Sequence, residues 1–81
     1  MNDEQFSTML GVAIVPQVVN MIVEKQNVDA IEAANLFYNS QTYRYLSDEA
    51  TKVWHLSPLT LYAMWKGEKE TGEVVFPEEG L

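Results

Sequence analysis

The sequence predicts an all-α domain, built as a small compact bundle of three main helices plus one or two short helices, with an extended acidic C-terminal tail. Apolar residues recur at helical spacing in the first third of the chain. Ser and Asp residues stand where helix N-caps belong, and Ser57 precedes Pro58 as at a helix start. We therefore expect a single helical domain at residues 1–72 and a tail at residues 73–81.

The first predicted helix covers the most apolar part of the chain, residues 6–23. Asp3 is its predicted cap, and Glu4 complements the positive end of the helix dipole. Pro16 lacks a backbone donor and clashes with the preceding turn, so we expect a kink or a break there. The apolar side chains that recur at spacings of three and four are Phe6, Met9, Leu10, Ala13, Ile14, Val18, Met21 and Ile22.

This helix is apolar around most of its circumference and must be covered on most sides. An 81-residue chain has few residues left to cover it. Two interpretations stay open: a central helix wrapped by its own chain, or a surface for self-association or for a partner. The tail adds two apolar side chains to such a surface. The predicted partner-binding residues are Met9, Val12, Val15, Val19, Val74 and Phe76.

The second predicted helix follows a polar connector, residues 24–27. Asp29 followed by Glu32 resembles a capping box, and the helix is expected to end near Tyr38. Small alanines on this helix allow another helix to approach closely. The large side chains of this helix that are predicted to be buried are Ile31, Leu36, Phe37 and Tyr38.

Three further cap signals complete the element prediction. Ser40 is expected to cap a short helix that ends at Leu46, and Asp48 to open a further turn or helix. Ser57 caps the last helix, which is expected to fade near Gly67.

Charge and composition exclude several classes of protein. Five basic and 12 acidic side chains give a formal net charge of −7, and there is no cysteine. A disulfide framework and a thiolate zinc site are therefore excluded. Nucleic-acid binding is opposed by the charge, because phosphate affinity comes mainly from clustered Lys and Arg. No cofactor and no metal site is predicted.

A membrane segment is not expected. The unbroken apolar part of the first helix is about 15 residues, shorter than the ~20 that a bilayer-spanning helix needs. Residues 2–5 are acidic and polar, whereas a signal peptide begins with basic residues. We expect a soluble, cytoplasmic protein.

His55, the only histidine, is the one candidate for catalytic chemistry. It would need a partner such as Asp48 or Ser57. A lone histidine among apolar neighbours is more often packed and hydrogen-bonded, so no catalytic residue is predicted. The aromatic residues nearby indicate core packing or an interface hot spot; they are Phe37, Tyr38, Tyr43, Tyr45, Trp54, Tyr62 and Trp65.

A helix-turn-helix is a further alternative. Residues 28–38 and 40–46 are predicted helices joined by a tight turn, and the second would offer Gln41, Thr42 and Arg44 to a DNA groove. The net charge opposes this interpretation.

Residues 36–62 resemble a family of short uncharacterised bacterial helical proteins, a domain of unknown function. Their shared pattern is Phe-Tyr-x-Ser-x-x-Tyr-x-x-Leu, then Thr-x-x-aromatic, then a last helix started by Ser-Pro. Some members are encoded beside toxin-like enzymes, so the resemblance implies an antitoxin-like or immunity-type partner and no catalytic residues. The matching positions are Phe37, Tyr38, Ser40, Tyr43, Leu46, Thr51, Trp54, Ser57 and Pro58.

The function that we expect is therefore a non-enzymatic protein-interaction or regulatory module. Its partner is another protein or a second copy of the chain. The alternative is a small ligand-binding or enzymatic domain that uses His55 and the tyrosine cluster, and the lower alternative is a DNA-binding regulator.

Overall fold

The long first helix, α1, runs from Asp3 to Gln26 in the computed structural model, which describes residues 2–76. It has regular α-helical turns at Asp3–Met9 and Val15–Gln26, and a π-helical turn at Leu10–Ile14 joins them. Pro16 is accommodated directly after the π-helical turn, as the second residue of the following α-helical part. The proline therefore neither breaks the helix nor lies in an ordinary helix interior.

The N-terminus of α1 is capped by Asn2, and the expectation that Asp3 caps it is wrong. The Asn2 side chain accepts a hydrogen bond from the backbone N–H of Gln5 at 2.8 Å. The Gln5 side chain accepts one from the backbone N–H of Asn2 at 3.3 Å, which completes a capping box. Asp3 instead lies in the first turn beside Glu4, where both carboxylates complement the helix dipole.

The expected connector at residues 24–27 is mostly helical. α1 continues to Gln26 and ends at Asn27, which adopts the left-handed conformation with φ 60°. Asparagine tolerates this conformation because its short polar side chain bonds locally. A short link then leads to α2 (Ala30–Tyr38), where Asp29 accepts from the N–H of Glu32 at 2.8 Å, as predicted.

The short helix α3 (Gln41–Leu46) begins as predicted at Ser40, whose hydroxyl accepts from the N–H of Tyr43. The segment that Asp48 opens consists of two 3₁₀ turns, Glu49–Thr51 and Val53–His55.

The last helix, α4 (Pro58–Thr71), begins with Ser57 as its cap and Pro58 in the first turn. It continues past the predicted end at Gly67 and stops at Gly72, with φ 84°. Residues 74–76 carry no helix or strand. The remainder of the predicted tail, residues 77–81, lies outside the described residues.

The three main helices share one hydrophobic core. α1 packs against both α2 and α4, and α3 packs against α2 and α4. No strand is present within residues 2–76, so the all-α bundle prediction is confirmed. The fully buried side chains at the centre include Val18, Ile22, Ala33, Phe37, Leu46, Val53 and Leu61.

Candidate functional site

The predicted partner-binding residues of α1 do not share one exposed face. Val12 is 74% exposed, and Met9 and Val19 are half-buried. Val15 lies in the core with 4% of its surface exposed, so its side chain is not on the surface of the described bundle. The π-helical turn before Val15 is the cause, because it rotates this residue onto the buried face.

The two tail residues of that set lie against the folded chain. Val74 and Phe76 are half-buried and pack on the core. The Phe76 ring meets the ring of Tyr45 edge-on, with a centroid distance of 4.9 Å. These side chains are therefore partly covered already by the bundle.

The first helix is also longer than the sequence indicates. α1 has 24 residues and contains an 18-residue stretch with a mean hydropathy of 1.8, so its length and composition are sufficient to cross a membrane. The length argument against a membrane segment is therefore wrong. About a third of this apolar stretch, 33%, is buried in the bundle, including Phe6, Leu10 and Val18.

His55 is exposed rather than packed in the core. Its imidazole ring stacks on the indole of Trp54 at a centroid distance of 3.9 Å. The partners considered for it act as caps instead: Asp48 accepts from the N–H of Ala50, and Ser57 accepts from the N–H of Thr60. Within residues 2–76 no group of three or more His, Asp or Glu side chains forms a metal site.

The aromatic residues form several separate contacts and not one cluster. Tyr43 meets the rings of Phe37 and Tyr38 edge-on at 5.7 and 4.8 Å. Burial, and secondarily the neighbouring Tyr38, raise the pKa of Tyr43 above its usual value of 10.0. Tyr62 and Trp65 form another pair on α4, 5.9 Å apart.

An open groove of about 790 Å³ lies between α2 and α4. We call it the α2/α4 groove. Both helices pack against α1, and the groove lies between them. Most of its exposed surface is apolar. Its lining consists of Asp29, Ile31, Glu32, Asn35, Leu36, Asn39, Ser40, Trp65, Glu68 and Lys69.

Two aliphatic side chains of α2 stand exposed in this groove. Ile31 is 77% exposed and Leu36 is 39% exposed, contrary to the prediction that they supply buried bulk. Tyr38, predicted to be buried with them, is 47% exposed. The core-facing positions of α2 are Ala33 and Phe37, four residues apart on one helix face.

The α4 side of the groove presents Trp65 with a lysine held over it. Trp65 is 3% exposed, so only an edge of its indole reaches the groove. The Lys69 ammonium lies 5.6 Å from the centroid of that ring and donates a hydrogen bond to Gln26 Oε1 at 2.9 Å. Gln26 in turn donates to the hydroxyl of Tyr62 at 2.8 Å, which ties α1 to α4.

One groove residue, Glu68, also joins α4 to the start of α3. Its carboxylate accepts from the backbone N–H groups of Gln41 and Thr42 and from the Thr42 hydroxyl, all at 2.8 Å. These are donors that a helix N-terminus otherwise leaves unpaired. Glu68 therefore fixes the end of the groove at which α3 begins.

The same contact bears on the helix-turn-helix alternative. Thr42 is fully buried and bonded to Glu68, so it cannot reach a DNA base. Gln41 and Arg44 are exposed and line a second depression of about 300 Å³ with Tyr45 and Asp48.

No family model, curated protein or solved structure matches this chain. The resemblance of residues 36–62 to a bacterial helical family stays a prediction. The α2/α4 groove was not predicted from the sequence, since Ile31 and Leu36 were assigned to the core. A local signal did exist: α2 carries more large apolar residues than one buried helix face can hold.

Proposed function

We propose that this chain is a non-enzymatic, cytoplasmic protein-interaction module that binds another protein in the α2/α4 groove. The observation that carries the proposal is the exposure of Ile31 and Leu36 in a mostly apolar groove that Trp65 also lines. A regulatory role of the antitoxin type, which the sequence resemblance implies, belongs to this proposal.

Binding energetics support this choice of surface. Burying an exposed aliphatic side chain contributes about 1.5–3 kcal/mol. Ile31 and Leu36 project from a regular helix that Ala33 and Phe37 fix to the core, so little backbone ordering is needed on binding.

The test is affinity capture from a lysate of the source organism, with mass spectrometry of the captured proteins. Three forms are compared: the wild type, the groove variant Ile31→Ser/Leu36→Ser, and the control Leu59→Ser. Leu59 is 59% exposed on α4 but does not line the groove, so its replacement removes a similar exposed side chain elsewhere. Circular dichroism establishes that all three forms are folded.

We expect a companion that the wild type and Leu59→Ser both retain and that the groove variant loses. A companion that the groove variant still captures contradicts the proposal. So does a capture that returns no companion with any form.

A further inference from the structure

Resting on the proposed function, we infer that the α2/α4 groove receives an amphipathic helix of the partner protein whose apolar side chains are flanked by Lys or Arg. The groove lies between two helices that both pack against α1. A third helix laid against such a pair completes a helix packing of the ordinary kind, with axes about 8–10 Å apart. This is the helix-in-groove mode of recognition.

The length of the groove limits the partner segment. α2 has 9 residues, which corresponds to about 14 Å along its axis. Two to three turns of a partner helix span that distance and present apolar residues at positions i, i+3 or i+4, and i+7. Ile31 and Leu36 both line the groove; they lie about 7.5 Å apart along the axis of α2 and about 140° apart around it, so different side chains of the partner helix would contact each of them.

The charged residues that line the groove, here called its rim, determine which charge on the partner helix is favourable. Asp29, Glu32 and Glu68 line the groove with a single cation, Lys69. Three carboxylates and one ammonium give the lining a net charge of −2. The rim is therefore acidic, as is the chain as a whole at −7. Basic residues beside the apolar anchors therefore give electrostatic complementarity and faster association.

The same charge disfavours a second copy of this chain as the occupant. Two copies joined at this groove would bring two acidic rims together and combine two chains of −7. Like charges facing each other across an interface cost binding free energy.

Two model peptides test the inference by isothermal titration calorimetry at low salt. Both are amphipathic helices of about 15 residues with the same leucine face; one carries Lys and the other Glu on its polar face. We expect the Lys peptide to bind at least tenfold more tightly than the Glu peptide. Its affinity should fall at least tenfold with Ile31→Ser/Leu36→Ser, fall a few-fold with Glu32→Gln, and stay unchanged with Leu59→Ser.

Several results would overturn the inference. Equal affinity of the Lys peptide for the wild type and the groove variant means attraction by net charge alone. A concentration-dependent dimer in sedimentation equilibrium that Ile31→Ser/Leu36→Ser abolishes makes a second copy the occupant.

Cross-linking from position 31 to the captured companion separates this inference from the proposed function. A cross-link to a segment that is not a basic amphipathic helix rejects the inference and leaves the groove as the binding surface. A cross-link to such a helix supports both. Capture that does not depend on Ile31 and Leu36 rejects the proposed function itself.

Discussion

Leu10 and Val15 lie on the same buried face of α1 although they are five positions apart in the sequence. The backbone N–H of Val15 donates to the carbonyl oxygen of Leu10, the hydrogen bond of a π-helical turn. In a regular α-helix, five residues would turn the side-chain direction about 140° away from its starting face. The π-helical turn removes this mismatch, and it also places Pro16 where the following helical segment begins.

Deletion of Ala13 should convert the π-helical turn into regular α-helix and thereby make Pro16 destabilising. The spacing from Leu10 to the next buried residue becomes four, which suits an α-helix, but Pro16 then lies in a helix interior. We expect a loss of about 3 kcal/mol in the free energy of unfolding, measured by urea titration.

Adding Pro16→Ala to that deletion should restore most of the lost stability, because both the spacing and the hydrogen bonding are then regular. Pro16→Ala alone should change the free energy of unfolding by less than about 1 kcal/mol, since the five-residue spacing still requires the π-helical turn. A double variant no more stable than the deletion would contradict this account.

Ala33→Leu should destabilise the bundle by overpacking. Ala33 is fully buried on the core-facing side of α2, which packs against α1. The added atoms should cost about 1–3 kcal/mol in thermal or urea unfolding. Ala30→Leu is the control, because Ala30 is exposed on the same helix. Equal stability of the two variants would show that α2 moves freely on α1.

Thr42→Val should loosen the junction between α3 and α4. The substitution keeps the shape of the buried side chain but removes the hydroxyl that donates to Glu68. The expected loss is about 1–2 kcal/mol in the free energy of unfolding. Thr8→Val, at an exposed position of α1, should be close to neutral. A loss at position 42 no larger than at position 8 would refute the role given to this contact.

The stability of the protein should fall as the pH rises above about 10, in part because of Tyr43. Its raised pKa means that the folded protein retains the phenolic proton at a pH where the unfolded chain has released it. Ionisation then favours the unfolded chain. The check is the free energy of unfolding against pH between about 9 and 11.

Tyr43→Phe should reduce the slope with which the free energy of unfolding falls as the pH rises between about 9 and 11. Tyr38→Phe should give an intermediate slope, because it removes the secondary cause of the shift and leaves the burial of Tyr43. An unchanged slope in Tyr43→Phe would assign the alkaline instability to other groups.

The sequence predicted the helix starts at Asp29, Ser40 and Ser57 correctly because each cap depends on a side chain and a backbone N–H three residues away. Such contacts are local, so the sequence pattern alone contains them. The contact of Glu68 with Thr42 spans 26 residues and has no local signal.

The sequence did not predict which apolar residues of α2 stay exposed. Ile31 and Leu36 have the composition of core residues, but burial depends on which elements reach each side of a helix. The sequence pattern also did not predict which side chains of α1 face the core. The predicted pattern contained only spacings of three and four, whereas the five-residue step from Leu10 to Val15, followed by Pro16, is the spacing of the π-helical turn.

The two tryptophans of the chain lie in separate surroundings. Trp65 reaches the α2/α4 groove, whereas Trp54 packs against Phe6 and stacks with His55, and its indole N–H donates to the Glu49 carbonyl. Replacing Trp54 by Phe would leave one indole, at the base of the groove. The fluorescence of that single indole would then follow occupation of the groove in real time, so the protein carries an optical label at the surface where we place its partner.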